Sequence, residues 1–203
     1  MGDWMLTHAG KHVDPLNVRP EDICLEDIAF ALSNISRFGG HVPFLSVAEH
    51  SVRVCMAAPP KLKKAALLHD AAEAYIGDII WPLKRSIAIW DKDNAVMGNP
   101  FEKCDHPMIR DIEMGIMWKV GVRLGFAFVE WGKMMEPVTE LDYLDCLAAG
   151  IDAWGVDAIF EWHRGPELAL QAQQWLLREP IQHHNPLMAR HAFKCLADEL
   201  GIK

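Results

Sequence analysis

No stretch of the 203-residue sequence approaches the roughly 18 uninterrupted apolar residues that a membrane-spanning helix needs. The opening Met1-Gly2-Asp3-Trp4-Met5 lacks the basic flank and apolar run of a secretory leader. An excess of positive charge is missing as well. The formal charge is −8 and the isoelectric point about 5.6, which argues against holding nucleic acid by neutralising its phosphates. A small anionic substrate met by a few local cations is still allowed. Close cysteine pairs are absent: Cys24, Cys55, Cys104, Cys146 and Cys195 are scattered and odd in number, a pattern of reduced thiols rather than of a disulfide framework or zinc ribbon. The expectation is a soluble, cytoplasmic protein that engages neither membrane nor nucleic acid.

Strand-like alternation is scarce too. His41 to Val47 comes nearest and is too short to count, and no internal repeat, low-complexity tract or linker divides the chain. What is present is helical periodicity. Leu25, Ile28, Ala29, Leu32 and Ile35 predict an amphipathic helix, which the glycines of Arg37-Phe38-Gly39-Gly40-His41 end. Ser46-Val47-Ala48-Glu49 reads as a capping box, with Ser46 accepting from the backbone three residues on and Glu49 reaching back. The helix it opens carries His50 and stops near Pro59-Pro60. A helix from Leu62 to Tyr75 follows, with Gly77 at its C-cap. Residues 79–108, broken by Pro82, Gly98, Pro100 and Pro107, predict a long surface loop with a short helix or two. Further helices are expected over 109–128, over 138–154 with Pro137 in the first turn, and roughly over 166–177 and 186–200. Residues 1–22 read as an extended arm or short hairpin. The predicted fold is all-α: one domain over 1–203, a compact bundle of about seven helices, with its core over about 24–155 and C-terminal helices over about 160–200.

Within the helix predicted over 62–75, His69 and Asp70 stand side by side in an otherwise apolar run. Burying either unpaired costs several kcal/mol. Core hydrogen bonds could compensate, and so could a divalent cation, for which neutral nitrogen beside anionic oxygen is a natural bite. His50 and His69 lie about equally far from Pro59-Pro60, so antiparallel helices would set the two imidazoles level. Asp142 or Asp145, in Leu141-Asp142-Tyr143-Leu144-Asp145, offers a fourth ligand. Three apart, they share a helix face, so that one can ligate while the other stands behind it or in solvent. Two imidazoles and two carboxylates suit Mn, Fe, Co, Ni or Zn and leave room for water.

The order of His50, then His69-Asp70, then a distal aspartate resembles the HD-domain metal-dependent phosphohydrolases, an all-helical superfamily. Leu68-His69-Asp70-Ala71-Ala72-Glu73 with Gly77-Asp78 and Pro82-Leu83-Lys84 looks like the branch of bacterial 5′-deoxynucleotidases of the YfbR type. Arg37-Phe38-Gly39-Gly40-His41 followed by Ser46-Val47-Ala48-Glu49-His50-Ser51 looks most like phage and prophage relatives, some of which are dATP triphosphohydrolases of the DatZ type. The resemblance covers roughly residues 10–155; the tail beyond about 160 matches nothing recognisable.

The resemblance implies His50, His69, Asp70 and Asp142 as metal ligands, with Asp145 as the competitor of Asp142. It also implies Glu73 as the residue handling the nucleophilic water and Asp78 as its partner near the substrate. Glu73 stands four residues after His69 and three after Asp70, so all three project to one side. Arg37 and Lys84 are the cations assigned to phosphate, Arg37 as a bidentate fork and Lys84 as a point charge, with Pro82 placed at the substrate by its motif. Phe38 falls where relatives set an aromatic against base or sugar, and His41 is assigned to phosphate or ribose.

The expected cofactor is one divalent transition metal ion (Co, Mn, Zn, Fe or Ni), with Mg added for a triphosphate. The expected activity is hydrolysis of the 5′-phosphoester bond of a deoxynucleotide, foremost dATP to deoxyadenosine and triphosphate. Alternatives are a 5′-deoxynucleotidase on monophosphates, an HD phosphodiesterase, and a non-catalytic nucleotide-binding metal protein. Trp162 and Trp175 in the tail suggest a subunit interface and hence a homo-oligomer. Asp105-His106 and His183-His184 lie in loop-like segments without partners at ligand spacing.

Overall fold

A computed structural model describes residues 4–86, 109–125, 128–162 and 164–203. The expected loop over 79–108, with Asp105-His106, falls largely outside them. The N-terminal arm is a hairpin of β1 (Met5–Leu6) and β2 (His12–Val13), paired antiparallel with Met5 opposite Val13. Its turn is tied to the first helix by the backbone N–H of Ala9, which donates to Asp27 Oδ1 at 2.6 Å.

Helix forms where apolar positions align on one face. Over α1 (Leu25–Asn34), Ile28, Ala29 and Leu32 are completely buried. Ser46 caps α2 (Val47–Ala57) by accepting from the backbone N–H of Glu49 at 3.1 Å. Only this half of the expected capping box forms. The buried Glu49 carboxylate turns instead to the C-terminal segment, where the backbone N–H groups of Gln182, His183 and His184 donate to it at 2.8, 3.1 and 2.7 Å. Three charge-assisted bonds outweigh the single one that the box offers.

The helix expected over 62–75 is two pieces, α3 (Lys63–Leu68) and α4 (Glu73–Ile76). His69 Nδ1 bonds the Ala66 carbonyl at 2.8 Å, the group that a continuing α-helix gives to the N–H of residue 70. Past that point the ladder tightens to three-residue steps, with Ala71 N–H on Leu68 O, Glu73 N–H on Asp70 O and Tyr75 N–H on Ala72 O. Gly77 ends α4 with φ +82°, a backbone conformation that glycine adopts without strain. Residues 81–86 are helical again.

Helix α5 (Ile109–Leu124) is followed by α6 (Phe128–Trp154), which begins ten residues earlier than the helix expected from Val138, so that Pro137 lies inside it rather than in its first turn. Met134 and Met135, on the early part of α6, pack against the core and hold the helix together across the proline. Helices α7 (Gly165–Arg178) and α8 (Pro186–Glu199) end the chain. The architecture is all-α. α1, α2, α3 and α8 surround a core that includes Leu32, Val54, Leu67 and Phe193. α6 lies against α2 and α3 and carries α7 over a smaller cluster of Leu147, Ile159, Leu168 and Ala172. Among the described residues no helix is long and apolar enough to cross a membrane.

Gly165 shapes the junction into α7, because a Cβ there would sit 1.7 Å from the carbonyl oxygen of Ile159. Gly165→Ala is expected to lower stability by about 1–3 kcal/mol through backbone displacement. A urea midpoint equal to that of the wild type contradicts this.

Candidate metal centre

Antiparallel packing of α2 on α3 sets His50 and His69 level, with their Nε2 atoms 3.1 Å apart. Each imidazole has its other nitrogen engaged. His50 Nδ1 bonds Asp145 Oδ2 at 2.8 Å and His69 Nδ1 bonds the Ala66 carbonyl at 2.8 Å. Since carboxylate and carbonyl oxygens only accept, both Nδ1 atoms carry the proton. In the neutral rings both Nε2 lone pairs therefore point at one another in a pocket where His50 is 1% and His69 8% exposed. Only a shared positive charge, a proton or a cation, makes that arrangement favourable.

Carboxylates complete the ring around this point. Asp142 Oδ1 lies 3.0 Å from His50 Nε2 and 3.8 Å from His69 Nε2. Asp70 Oδ2 lies 3.5 and 3.3 Å from the same two atoms. His50, His69 and Asp142 form a group that could hold a metal ion, each offering one ligand atom and all within 4.8 Å of one another, with Asp70 beside it. A cation with ligand bonds of ~2.1 Å separates neighbouring ligand atoms by about 3.0–3.4 Å, so spacings of 3.0–3.8 Å need only small shifts to close on one. Of the two aspartates left open by the sequence, Asp142 faces both Nε2 atoms. Asp145, fully buried, stands behind His50 instead, where its Oδ1 accepts from Arg53 Nε at 2.9 Å and Trp175 Nε1 at 2.8 Å.

The charges respond to this crowding. Burial opposes a charge on His69, yet Asp70 and Asp142 outweigh it and hold the imidazolium well above the usual histidine range. Burial opposes ionisation of Asp70 as well, but His69 beside it holds that carboxyl at about 2, and Asp142 is lowered likewise, its burial overridden by His50 and His69. Glu73 goes the other way. Burial, then the charges of Asp70 and Asp78, push it up to about 10 against the pull of Arg37 and Lys84. Its Oε2 is buried with no hydrogen-bond partner among the described residues. Asp78 is raised mainly by burial, against Arg37.

Arg37 leaves the bridge between Ser36 and Ser46 and reaches the cluster, with Nη1 3.3 Å from Asp70 Oδ2 and Nη2 3.7 Å from Asp142 Oδ1. Phe38, held at φ +55°, sits beside it with its ring centroid 5.9 Å from the guanidinium carbon. Phe38 also meets Trp154 at 5.6 Å and Trp162 at 6.0 Å. Lys84 pairs with Glu113 at 2.6 Å while its charge still acts on Glu73. His41 and Pro82 are exposed, and no contact among the described residues places either against the cluster. His183 bridges Asp152 at 3.0 Å and the Phe44 carbonyl at 3.2 Å, which accounts for His183 without a metal.

Sequence reasoning missed Arg53, Trp175 and the two tryptophans around Phe38. Arg53 had a signal, since it stands three residues after His50 and so shares its helix face. Trp175 had none, because nothing local links it to a position thirty residues upstream.

No family model matches the chain. Over 80 residues it is 48% identical to an uncharacterized protein of Escherichia coli K12, YfdR, a match covering 39% of this chain and 45% of that one. Over 94 residues it is 39% identical to an uncharacterized protein of Rhodobacter capsulatus, covering 41% and 48%. The chain thus spans less than half the length of the curated relatives it matches.

Two measurements follow. A divalent cation and a proton compete for the same Nε2 lone pairs, so Co²⁺ affinity measured by titration calorimetry should rise with pH until His69 is neutral, with proton release in different buffers, and His69→Ala should lose it. An affinity flat between pH 5.5 and 8 contradicts this. Glu73, with a folded-state pKa raised from 4.5 to about 10, loses stability as pH climbs through that window. With chelator present, Glu73→Gln should match the wild type near pH 4.5 and exceed it at pH 8. Parallel urea profiles at the two pH values contradict it.

Proposed function

We propose that the chain hydrolyses the 5′-phosphoester bond of a deoxynucleotide at this centre. The observation that carries the reading is the buried Glu73 Oε2, without a hydrogen-bond partner among the described residues, beside the His50, His69, Asp70 and Asp142 cluster. A structural metal site has no need of a buried carboxyl with a free oxygen next to it, whereas a general base or acid does.

His50, His69, Asp70 and Asp142 would hold the cation. Bound there, it would supply Lewis acidity to a phosphoryl oxygen and to water, and its charge would offset the carboxylates that raise Glu73. Arg37, whose guanidinium lies against Asp70 and Asp142, would offer N–H donors to phosphate oxygens. Lys84 adds positive charge on the Glu73 side. Glu73 Oε2 takes the proton of the water whose oxygen forms the new bond to phosphorus. The bond from phosphorus to O5′ breaks, and O5′ takes up the proton that Glu73 accepted, so that the deoxynucleoside departs as its alcohol. Asp78, also raised by burial, stands with Glu73 as its partner on this side. The Phe38, Trp154 and Trp162 cluster would give the nucleoside an apolar wall, while His41 and Pro82 are exposed to solvent. The resemblance of residues 37–51 to phage relatives favours dATP, with triphosphate as second product.

The test is release of deoxynucleoside from deoxynucleoside mono- and triphosphates with Mn²⁺ or Co²⁺. Deoxyadenosine and triphosphate from dATP are expected, and Glu73→Ala should slow turnover by about 10²–10⁴-fold. Phosphate from monophosphates alone would reassign the substrate. No deoxynucleoside from any of them, or a Glu73→Ala variant equal to the wild type, overturns the proposal.

A further inference from the structure

His50 is aimed by something outside the ligand group. Its Nδ1–H is held by Asp145 Oδ2 at 2.8 Å, and Asp145 is a completely buried carboxylate whose own orientation must be fixed by donors. Two donors meet its Oδ1: Arg53 Nε at 2.9 Å from α2 and Trp175 Nε1 at 2.8 Å from α7. Arg53 supplies the compensating charge. Its Nη2 also lies 2.7 Å from Oδ1, but Arg53 rides on the helix that carries His50, so Trp175 is the donor that ties the carboxylate to another element.

We propose that Trp175 is a positioning residue for His50: its indole N–H fixes the Asp145 carboxylate, which in turn fixes the proton on Nδ1 and the direction of Nε2. The C-terminal segment is thereby part of the metal centre's support, although it supplies no ligand. This inference rests on His50, His69 and Asp142 holding a divalent cation, and not on what is hydrolysed there.

Two features separate this role from plain packing. The indole is only half-buried, and it borders a groove of about 400 Å³ lined also by Ala57, Leu144, Gln174 and Arg178, so much of the ring contributes little to a core. The same stretch of chain grips α2 on both sides of His50. Glu49 receives the backbone N–H groups of Gln182, His183 and His184, and Arg53 Nη1 donates to the Glu179 carbonyl. Segment 175–184 therefore holds the one turn of α2 that carries the ligand.

The experiment uses the full chain and Co²⁺ alone, read by chelator competition and by the visible absorption of the bound ion. Trp175→Phe should weaken Co²⁺ binding by about 10-fold or more and alter the absorption bands, while the exposed Trp118→Phe leaves both unchanged. Replacing Trp175 by benzothienylalanine, which keeps the bicyclic shape and lacks the N–H, should reproduce the loss and guards against a variant that fails to fold. In the Asp145→Asn background Trp175→Phe should cost little more, because both act through one contact. Wild-type affinity and spectrum with benzothienylalanine at that position, or additive losses in the double variant, overturn this inference and leave the metal centre standing. No Co²⁺ binding by the wild type overturns both.

Discussion

Two imidazole nitrogens face one another across 3.1 Å with almost no solvent around them, and each ring has already given its other N–H to an oxygen. In that state lone pair meets lone pair, which a protein interior tolerates only if a positive charge lies between them. Much of the surrounding structure follows from supplying that charge and balancing it. Asp70 and Asp142 close around the point on the open side, Arg37 offsets them, and Asp145 anchors the ring from behind. Glu73, forced into the same neighbourhood of carboxylates, is pushed toward holding its proton until a cation offsets their charge.

The fold is arranged to keep these atoms at their distances. α2 and α3 bring one histidine each, α6 crosses both and delivers two aspartates one turn apart to opposite sides of His50, and α7 with the segment after it closes on α2 from outside. The break between α3 and α4 belongs to the same arrangement. The Nδ1–H of His69 takes the Ala66 carbonyl, which fixes the ring and at the same time tightens the helix, and that turn swings Asp70 and Glu73 toward the cluster.

The all-α architecture was legible because periodic apolar residues and strong breakers such as Gly39-Gly40 and Pro59-Pro60 are local signals. The level placement of His50 and His69 was legible from the symmetry of the chain about the turn between them. What sequence could not supply depends on contacts distant in the chain. Asp142 and Asp145 look alike in a helix, and only the position of His50 tells which faces Nε2 and which faces Nδ1. Glu49 reads as half of a capping box until three backbone N–H groups from 182–184 claim it. Pro137 reads as a helix start, and packing of Met134 and Met135 carries the helix past it. Trp162 and Trp175 read from sequence only as apolar bulk in the tail, and only contacts distant in the chain set one against Phe38 and the other on Asp145.

The most direct test of this account is anomalous diffraction from a crystal soaked in Mn²⁺ or Co²⁺, collected at the metal's absorption edge. The account predicts one strong peak about 2.0–2.3 Å from the Nε2 atoms of both His50 and His69, with a carboxylate oxygen of Asp142 in contact. A peak elsewhere, or none at full soaking, would contradict it.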